Sequence, residues 1–311
     1  MNEIAGKQDA WGRLMNLLYK PFMALPRHFL RKISMSRQVF AFYCLIAVGI
    51  ASSAIAQEGT GPRRVEVDNI FKDELVKQNI VGGAVAVVRD GHIIHSAGYG
   101  HTSLLRNTKI SDSTVFRWAS ISKTLTAVAA LQADESITDF EIEDRVSDHV
   151  DYWTSVGNKG EVTIKHALSN RSGIIHYSNS CSGNSNPEFY QSVHGNGTFD
   201  PESAVEVFKD QSLCFAPDTD YSYSTFGFNL VAAAIEQGSG QSYNDWVMSQ
   251  IAAPLGMTSL RQATGTSQGF RVACGELKSS SEPSKSYVLA GGGWESNIVD
   301  LAIFANGILQ E

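Results

Sequence analysis

The chain has 311 residues, of which 43% are hydrophobic, 18% charged and 10% aromatic. This composition is typical of a globular protein and excludes a disordered, collagen-like or disulfide-dense chain. The formal net charge of −7 argues against nucleic acid as a partner, because binding to a phosphate backbone needs a basic surface. The length allows one large domain or two small ones.

The basic residues are concentrated at the N-terminus. Residues 1–56 contain seven basic and two acidic side chains, a balance of +5, so the remainder of the chain has a balance of −12. The basic part leads into the uncharged apolar segment 39–56, which ends in Ala54-Ile55-Ala56. We therefore predict a signal peptide, cleavage after Ala56 and a periplasmic or secreted mature protein. The alternative is an inner-membrane anchor over 39–56, because this segment is just long enough to span a bilayer.

The same pattern divides the chain into three parts. Residues 1–34 form an extended leader, which we interpret as a miscalled start, because translation from Met35 would give a signal of ordinary length. Residues 35–56 are the predicted signal, and residues 57–311 are the predicted folded domain.

The predicted elements begin with an amphipathic helix over 65–80, where apolar residues recur at helical spacing. Two strands, 84–88 and 92–97, are joined by Asp90-Gly91, a dipeptide typical of a tight hairpin turn. The helix expected from Ser120 to Leu131 is apolar nearly all round, which predicts a buried central position. The acidic stretch 134–151 is interpreted as a solvated surface segment. Further helices are expected over 162–168, 226–237, 242–255 and 300–309.

Three cysteines, Cys181, Cys214 and Cys274, follow the signal segment. Cys181 and Cys214 bracket a polar segment that a disulfide would hold, and an oxidising compartment permits such a bond. Three free thiols are the alternative. The cysteines do not have zinc-site spacing, and we expect no metal or organic cofactor.

Ser120 and Lys123 form the sharpest local motif. Residues three apart on a helix share a face, so the lysine amine can reach the serine hydroxyl. A serine becomes a nucleophile when a neighbour accepts its proton, and a lysine accepts it only where its surroundings keep the amine neutral. The structural alternative is a helix N-cap at Ser120 or Ser122 with Lys123 exposed.

A second aromatic and hydroxyl-rich segment, 221–228, precedes the apolar helix predicted from Phe226. A tyrosine from this segment placed near the lysine would complete a proton relay to a leaving group. The alternative is an aromatic turn within the core.

Six segments in this order and at this spacing resemble one family, the serine beta-lactamase and penicillin-binding-protein-like hydrolases. They are 82–91, 116–124, 162–173, 217–228, 254–257 and 290–296. The likeness is greatest to the class C type, including family VIII esterases and the mitochondrial serine beta-lactamase-like proteins. The resemblance implies an α+β fold, with an antiparallel sheet flanked by helices, an all-helical region and the site at their junction.

The resemblance also implies roles for individual residues. Ser120 would be the acylated nucleophile, Lys123 the base that activates it, and Tyr223 the tyrosine of the second motif. Thr225 stands where the family usually has an asparagine that contacts the substrate, which weakens the expectation of antibiotic hydrolysis. His176 and Tyr177 would form a wall of the site.

The family's third motif, Lys-Thr-Gly or His-x-Gly, does not follow the 290–296 segment. By the resemblance, its strand supplies a cation and one of two oxyanion-hole N–H groups, and loss of one such donor slows catalysis by about 10²–10³-fold. We therefore expect a chain truncated at its C-terminus, with an unpaired edge on the first hairpin.

The leading functional hypothesis is an exported serine hydrolase that acts through an acyl-enzyme on Ser120, with an ester, amide or beta-lactam carbonyl as substrate. One alternative is a D,D-carboxypeptidase or D-amino-acid peptidase acting on cell-wall peptides. Another is a catalytically inactive truncated homologue or a binding protein. The expected partner is a small-molecule or peptide substrate, with membrane contact only through the signal or anchor segment.

Overall fold

The structure, a computed structural model, describes residues 64–177, 181, 200–264, 269–273, 276–280 and 286–310. The predicted leader, the signal segment and the anchor alternative all lie outside these residues. Among the residues that are described, no helix is both long enough and apolar enough to cross a membrane.

The described residues belong to two compact units, which we describe separately. The first contains helix α1 and two hairpins: α1 (Arg64–Lys77), β1 (Gly82–Arg89), β2 (His92–Gly100), β5 (Gly269–Ala273) and β6 (Glu276–Ser280). The second contains most helices and a small sheet. In chain order its elements are β3 (Phe116–Arg117), α2 (Ser122–Ser136), α3 (Val146–His149), α4 (Gly157–Gly160), α5 (Ile164–Leu168), α6 (Pro201–Glu206), α7 (Phe226–Ser239), α8 (Tyr243–Val247), α9 (Ala253–Leu255), β4 (Arg261–Gln262), α10 (Leu289–Gly292), β7 (Trp294–Ser296) and α11 (Ile298–Leu309).

In the first unit, the predicted helix and hairpin are present with slightly different ends, but the amphipathic pattern expected of the helix holds only in part, because Ile70 and Val76 are 65% and 78% exposed. The turn residues Asp90 and Gly91 both have positive φ, 49° and 78°, as a tight hairpin requires. The Tyr99 hydroxyl of β2 donates to Asp68 Oδ1 of α1 at 2.5 Å, which joins the helix to the hairpin. Within the described residues, β1 and β2 pair only with each other, and β5 pairs with β6.

Helix α2 lies at the centre of the second unit, as the sequence predicts. Ten of its fifteen residues are buried, and it packs against α7 and α10. Helix α7 is similarly enclosed, with ten buried residues, and ends at Gly240 in the left-handed conformation. Further along the chain, residues 243–255 form α8, a π-helical turn (Met248–Ala252) and α9. Burial of so many apolar side chains is the main stabilising contribution to this unit.

The interpretation of 134–151 as a solvated segment is wrong in part. Four apolar side chains in this stretch, Phe140, Ile142, Val146 and Val150, are at most 1% exposed. Glu141, Glu143 and Asp148, which lie between them, are exposed, whereas the half-buried Asp134 of α2 accepts a hydrogen bond from the Ile142 N–H through Oδ1 at 2.8 Å. The high proportion of acidic residues suggested a solvated segment, but its apolar side chains complete the core.

A small antiparallel sheet has the strand order β3-β7-β4, and its strand β7 contacts the start of α2, where the Trp294 backbone N–H donates to Ser122 Oγ at 3.3 Å. Its strands have two or three residues each, so hydrophobic periodicity could not reveal them. The backbone N–H of Trp118 donates to the backbone carbonyl of Trp294 at 2.8 Å, which fixes the chain just before Ser120. Glu295 is fully buried and accepts from Arg261 Nε at 2.8 Å.

Cys181 and Cys214 form a disulfide with a Cα separation of 4.9 Å. The structure therefore confirms the predicted disulfide between these two cysteines, and not the alternative in which both are free thiols.

Candidate active site

Ser120 lies on a single turn of 3₁₀ helix, Ala119–Ile121, that continues directly into α2. The preceding residue, Ala119, has a φ of 45°, a left-handed conformation that costs an alanine about 1 kcal/mol. Such strain next to an exposed serine is typical of functional sites. The N-cap of α2 is Ile121 and has no side-chain cap, so the alternative in which Ser120 or Ser122 caps the helix is wrong.

Lys123 is buried, with only 7% of its surface exposed. Its Nζ donates to the Gly291 carbonyl at 2.6 Å and to Thr225 Oγ1 at 3.1 Å. The same nitrogen lies 4.7 Å from the centre of the Tyr223 ring and 5.5 Å from that of Phe228. The alternative of an exposed lysine is therefore wrong, and the amine is held in a largely apolar setting beside the two predicted site residues.

Tyr223 meets Ser120 directly. The Ser120 Oγ lies 2.6 Å from the Tyr223 hydroxyl, although the two residues are 103 positions apart in the chain. Burial raises the pKa of the Tyr223 phenol to about 12, even though 39% of the residue is exposed. The phenol is therefore protonated at neutral pH, so it can exchange a proton with Ser120 and does not act as a standing phenolate base.

The aromatic segment divides into two parts at Thr225. Phe226 and Phe228 are buried in the core, as the aromatic-turn alternative expects, whereas Tyr221 and Tyr223 are 48% and 39% exposed. Of the two tyrosines, Tyr223 is the one bonded to Ser120, in agreement with the position implied by the resemblance.

His176 contributes more to the site than the wall expected from the sequence. Its Nδ1 accepts a hydrogen bond from the Thr225 N–H at 3.1 Å, and its ring lies edge-on to Tyr223 with the ring centres 5.4 Å apart. Burial, together with the nearby charge of Lys123, lowers the pKa of His176 to about 4. The imidazole is therefore neutral at physiological pH.

Gly291 is a site residue that the sequence did not single out. A Cβ at this position would lie 2.4 Å from Thr225 Cγ2 and 3.0 Å from the Thr225 carbonyl oxygen, so only glycine fits. Its carbonyl is the acceptor for Lys123. The one available signal was the glycine run 291–293 within the motif at 290–296.

Together these residues form an exposed hydroxyl bonded to a protonated phenol, beside a buried amine with two oxygen acceptors. Such an arrangement can remove a proton from Ser120 and return it to a leaving group. All of these groups lie in the second unit.

A family model described as Beta-lactamase matches residues 67–311. The chain belongs to the beta-lactamase family. The resemblance drawn from the six sequence segments is thereby confirmed, and so is the α+β fold class.

Individual relatives of this beta-lactamase family member match a smaller part of the chain. Penicillin-binding protein 4* of Bacillus subtilis (strain 168) is 26% identical over 202 residues, which are 64% of this chain and 42% of the relative. Protein flp of Staphylococcus aureus is 25% identical over 201 residues, which are 64% of this chain and 38% of the relative. The chain thus spans less than half the length of these curated relatives.

Two solved structures share the fold at lower sequence identity. One is "EstCE1, a hydrolase with promiscuous acyltransferase activity", with a TM-score of 0.65 and 18% identity over 76% of this chain and 70% of that one. The other is a D-amino acid amidase from Ochrobactrum anthropi SV3, with a TM-score of 0.62 and 19% identity over 76% of this chain and 69% of that one.

Proposed function

We propose that the protein is a serine hydrolase that forms an acyl-enzyme on Ser120. The observation that carries the proposal is the 2.6 Å approach of the Ser120 and Tyr223 hydroxyls beside the buried amine of Lys123. Membership of the beta-lactamase family supports the same reaction class.

In the proposed reaction, Ser120 Oγ attacks the carbonyl carbon of the substrate and its proton passes to the Tyr223 and Lys123 pair. Tyr223 accepts the Ser120 proton as it passes its own phenolic proton to Lys123 in the neutral amine form, so the phenol remains neutral, consistent with its pKa of about 12. Lys123, now an ammonium, returns the proton through Tyr223 to the departing alcohol or amine. Water attacks the acyl-enzyme in the second half and restores the Ser120 hydroxyl.

We propose an ester, amide or beta-lactam carbonyl as the substrate. The hydroxyl of Thr225 occupies the place of the amide that, by the resemblance, contacts an acylamino side chain, and it is bonded to Lys123. This replacement favours esters over antibiotics. The second candidate, hydrolysis of D-amino-acid amides or cell-wall peptides, is supported by likeness to a D-amino acid amidase and to a penicillin-binding protein.

Covalent labelling tests the reaction class. A fluorophosphonate probe and a fluorescent penicillin are incubated with the purified chain, with Ser120→Ala and with Tyr223→Phe. We expect label on Ser120 in the unaltered chain, none at this position in Ser120→Ala, and labelling slowed by about 10²–10³-fold in Tyr223→Phe. Tyr221→Phe is the matched control, because Tyr221 lies two residues away, and its rate should stay within about twofold. Absence of label from a folded, unaltered chain would contradict the proposal.

A substrate panel then separates the candidates. The panel contains p-nitrophenyl esters, a chromogenic cephalosporin, a D-amino-acid amide and a D-Ala-D-Ala peptide. The highest kcat/KM on the esters would support the leading proposal, whereas the highest value on the D-amino-acid substrates would support the second candidate.

We also propose that the protein is exported by the signal at residues 35–56. The disulfide between Cys181 and Cys214 supports this proposal, because such bonds form and persist in oxidising compartments. The N-terminal sequence of the exported protein tests it. We expect a start at Gln57, and recovery of residues 39–56 in a membrane-bound chain would favour the anchor instead.

A further inference from the structure

Tyr223 lies in an irregular loop between Asp218 and α7, so its position depends on contacts from outside the loop. The segment 170–176 supplies these contacts. Ser222 N–H donates to the Asn170 carbonyl at 3.0 Å, and Ser224 N–H donates to Asn170 Oδ1 at 2.9 Å. The Ser224 hydroxyl also donates to the Ile175 carbonyl at 3.0 Å.

Asn170 therefore holds both chain neighbours of Tyr223, one through its backbone and one through its side chain. Its own backbone has a φ of 58°, a left-handed conformation that asparagine adopts more readily than most residues. The Ser224 N–H belongs to the peptide plane that directly follows Tyr223, and the Ser222 N–H belongs to the plane before Ser222, so the two hydrogen bonds restrain the backbone on both sides of Tyr223.

His176 holds the next residue along the loop. Because its Nδ1 accepts from the Thr225 N–H, the neutral ring has its proton on Nε2. The same ring lies against Tyr177, with centres 4.1 Å apart, and edge-on to Tyr223 at an interplanar angle of 72°. One imidazole thus fixes the backbone after Tyr223 and limits the movement of the phenol ring.

We propose that Asn170 and His176 are positioning residues that keep the Tyr223 hydroxyl within proton-transfer distance of Ser120. This inference rests on the acyl-enzyme reaction proposed above. Proton transfer requires the two oxygens to remain near hydrogen-bond distance, and a displacement of about 1 Å can cost about 10²-fold in rate.

Substitutions at Asn170 test the side-chain contact. Asn170→Gly tolerates the left-handed backbone but removes the acceptor for Ser224 N–H, whereas Asn170→Asp keeps an oxygen there. We expect labelling of Ser120 by the fluorophosphonate to slow by about 10–100-fold in Asn170→Gly and to stay within about threefold of the unaltered chain in Asn170→Asp. Asn79→Gly is the matched control, because Asn79 also has a left-handed backbone, with a φ of 54°, and lies outside the site.

Two substitutions of His176 test its contact with the Thr225 N–H in the same way. His176→Asn places an amide oxygen near the position of Nδ1, and His176→Phe keeps a ring but has no acceptor for Thr225 N–H. We expect His176→Phe to slow the maximal rate of labelling by about 10-fold with a smaller change in half-saturating probe concentration, and His176→Asn to recover most of the loss.

Amide hydrogen exchange provides a readout that needs no catalysis. The N–H groups of Ser222, Ser224 and Thr225 should be protected in the unaltered chain, and Ser224 should exchange faster in Asn170→Gly alone among the Asn170 and Asn79 variants. Unchanged exchange, or equal slowing of labelling in Asn170→Gly and Asn170→Asp, would overturn the inference. If Ser224 exchanges faster in Asn170→Gly as expected, but the unaltered chain is not labelled, the result would count against the proposed function instead.

Discussion

Acid should destabilise the folded chain through His176, and the effect can be isolated with one variant. The pKa of His176 is lowered to about 4 by burial and by the charge of Lys123, from an ordinary value of 6.5. The unfolded chain therefore binds a proton at this position below about pH 6.5, whereas the folded chain does so only near pH 4. The neutral imidazole therefore does not destabilise the folded state above about pH 6.5, and the free energy of unfolding falls as the pH decreases from about 6.5 to about 4.

The expected magnitude follows from the two pKa values. At about pH 7.5 the histidine is neutral in both states and has almost no effect, whereas at about pH 4.5 the difference in proton binding destabilises the folded state by about 2.5 kcal/mol. The other titrating groups are common to the unaltered chain and to His176→Asn. Their contributions therefore cancel in the difference between the two proteins.

Chemical denaturation at these two pH values measures that difference. His176→Asn should be the less stable protein at pH about 7.5, because asparagine does not reproduce the packing of the ring on Tyr177 and Tyr223. Between the two pH values the free energy of unfolding should shift in favour of the variant by about 2–3 kcal/mol. Parallel pH profiles, with a difference constant to within about 0.5 kcal/mol, would refute the reasoning.

Two further predictions concern stability. Gly291→Ala should lower the free energy of unfolding by about 2 kcal/mol, because the added Cβ would lie 2.4 Å from Thr225 Cγ2. Gly292→Ala is its control, since a Cβ there would meet its nearest neighbours at 3.9 Å, and equal losses in the two variants on chemical denaturation would contradict the packing argument. Reduction of the disulfide, which joins Cys181 to Cys214 across a sequence separation of 33, should cost about 3–4 kcal/mol by loop-closure entropy. A double Cys→Ser variant at these positions should have the lower free energy of unfolding whether or not reductant is present. An identical unfolding curve of the unaltered chain with and without reductant would argue against the bond.

The long elements and several of the residues that meet at the candidate site were predictable from the sequence. The hairpin followed from Asp90-Gly91 between apolar runs, and α2 and α7 followed from apolar residues at helical spacing. Ser120, Lys123 and Tyr223 were identified from motifs, and the structure brings Tyr223 to Ser120 and to Lys123.

The remaining features depend on tertiary contacts that leave little trace in local sequence. Strands of two or three residues, such as Phe116–Arg117, exist because the chain pairs with a distant segment. The Gly291 carbonyl reaches Lys123 across 168 positions, and a backbone atom has no residue-type signal of its own. Asn170 was likewise inconspicuous, because its role depends on which N–H groups the fold places opposite it.

The contacts on which the proposed reaction of Ser120 depends are distant in sequence, spanning 103 positions to Tyr223 and, through Lys123, 168 to Gly291. Contacts of such separation form only after much of the loop-closure entropy has been overcome. An incompletely folded molecule therefore has the serine without its partners and should be inert towards carbonyl substrates. In the proposed reaction, labelling of Ser120 requires these contacts, so a labelling probe should also count the native molecules in a preparation.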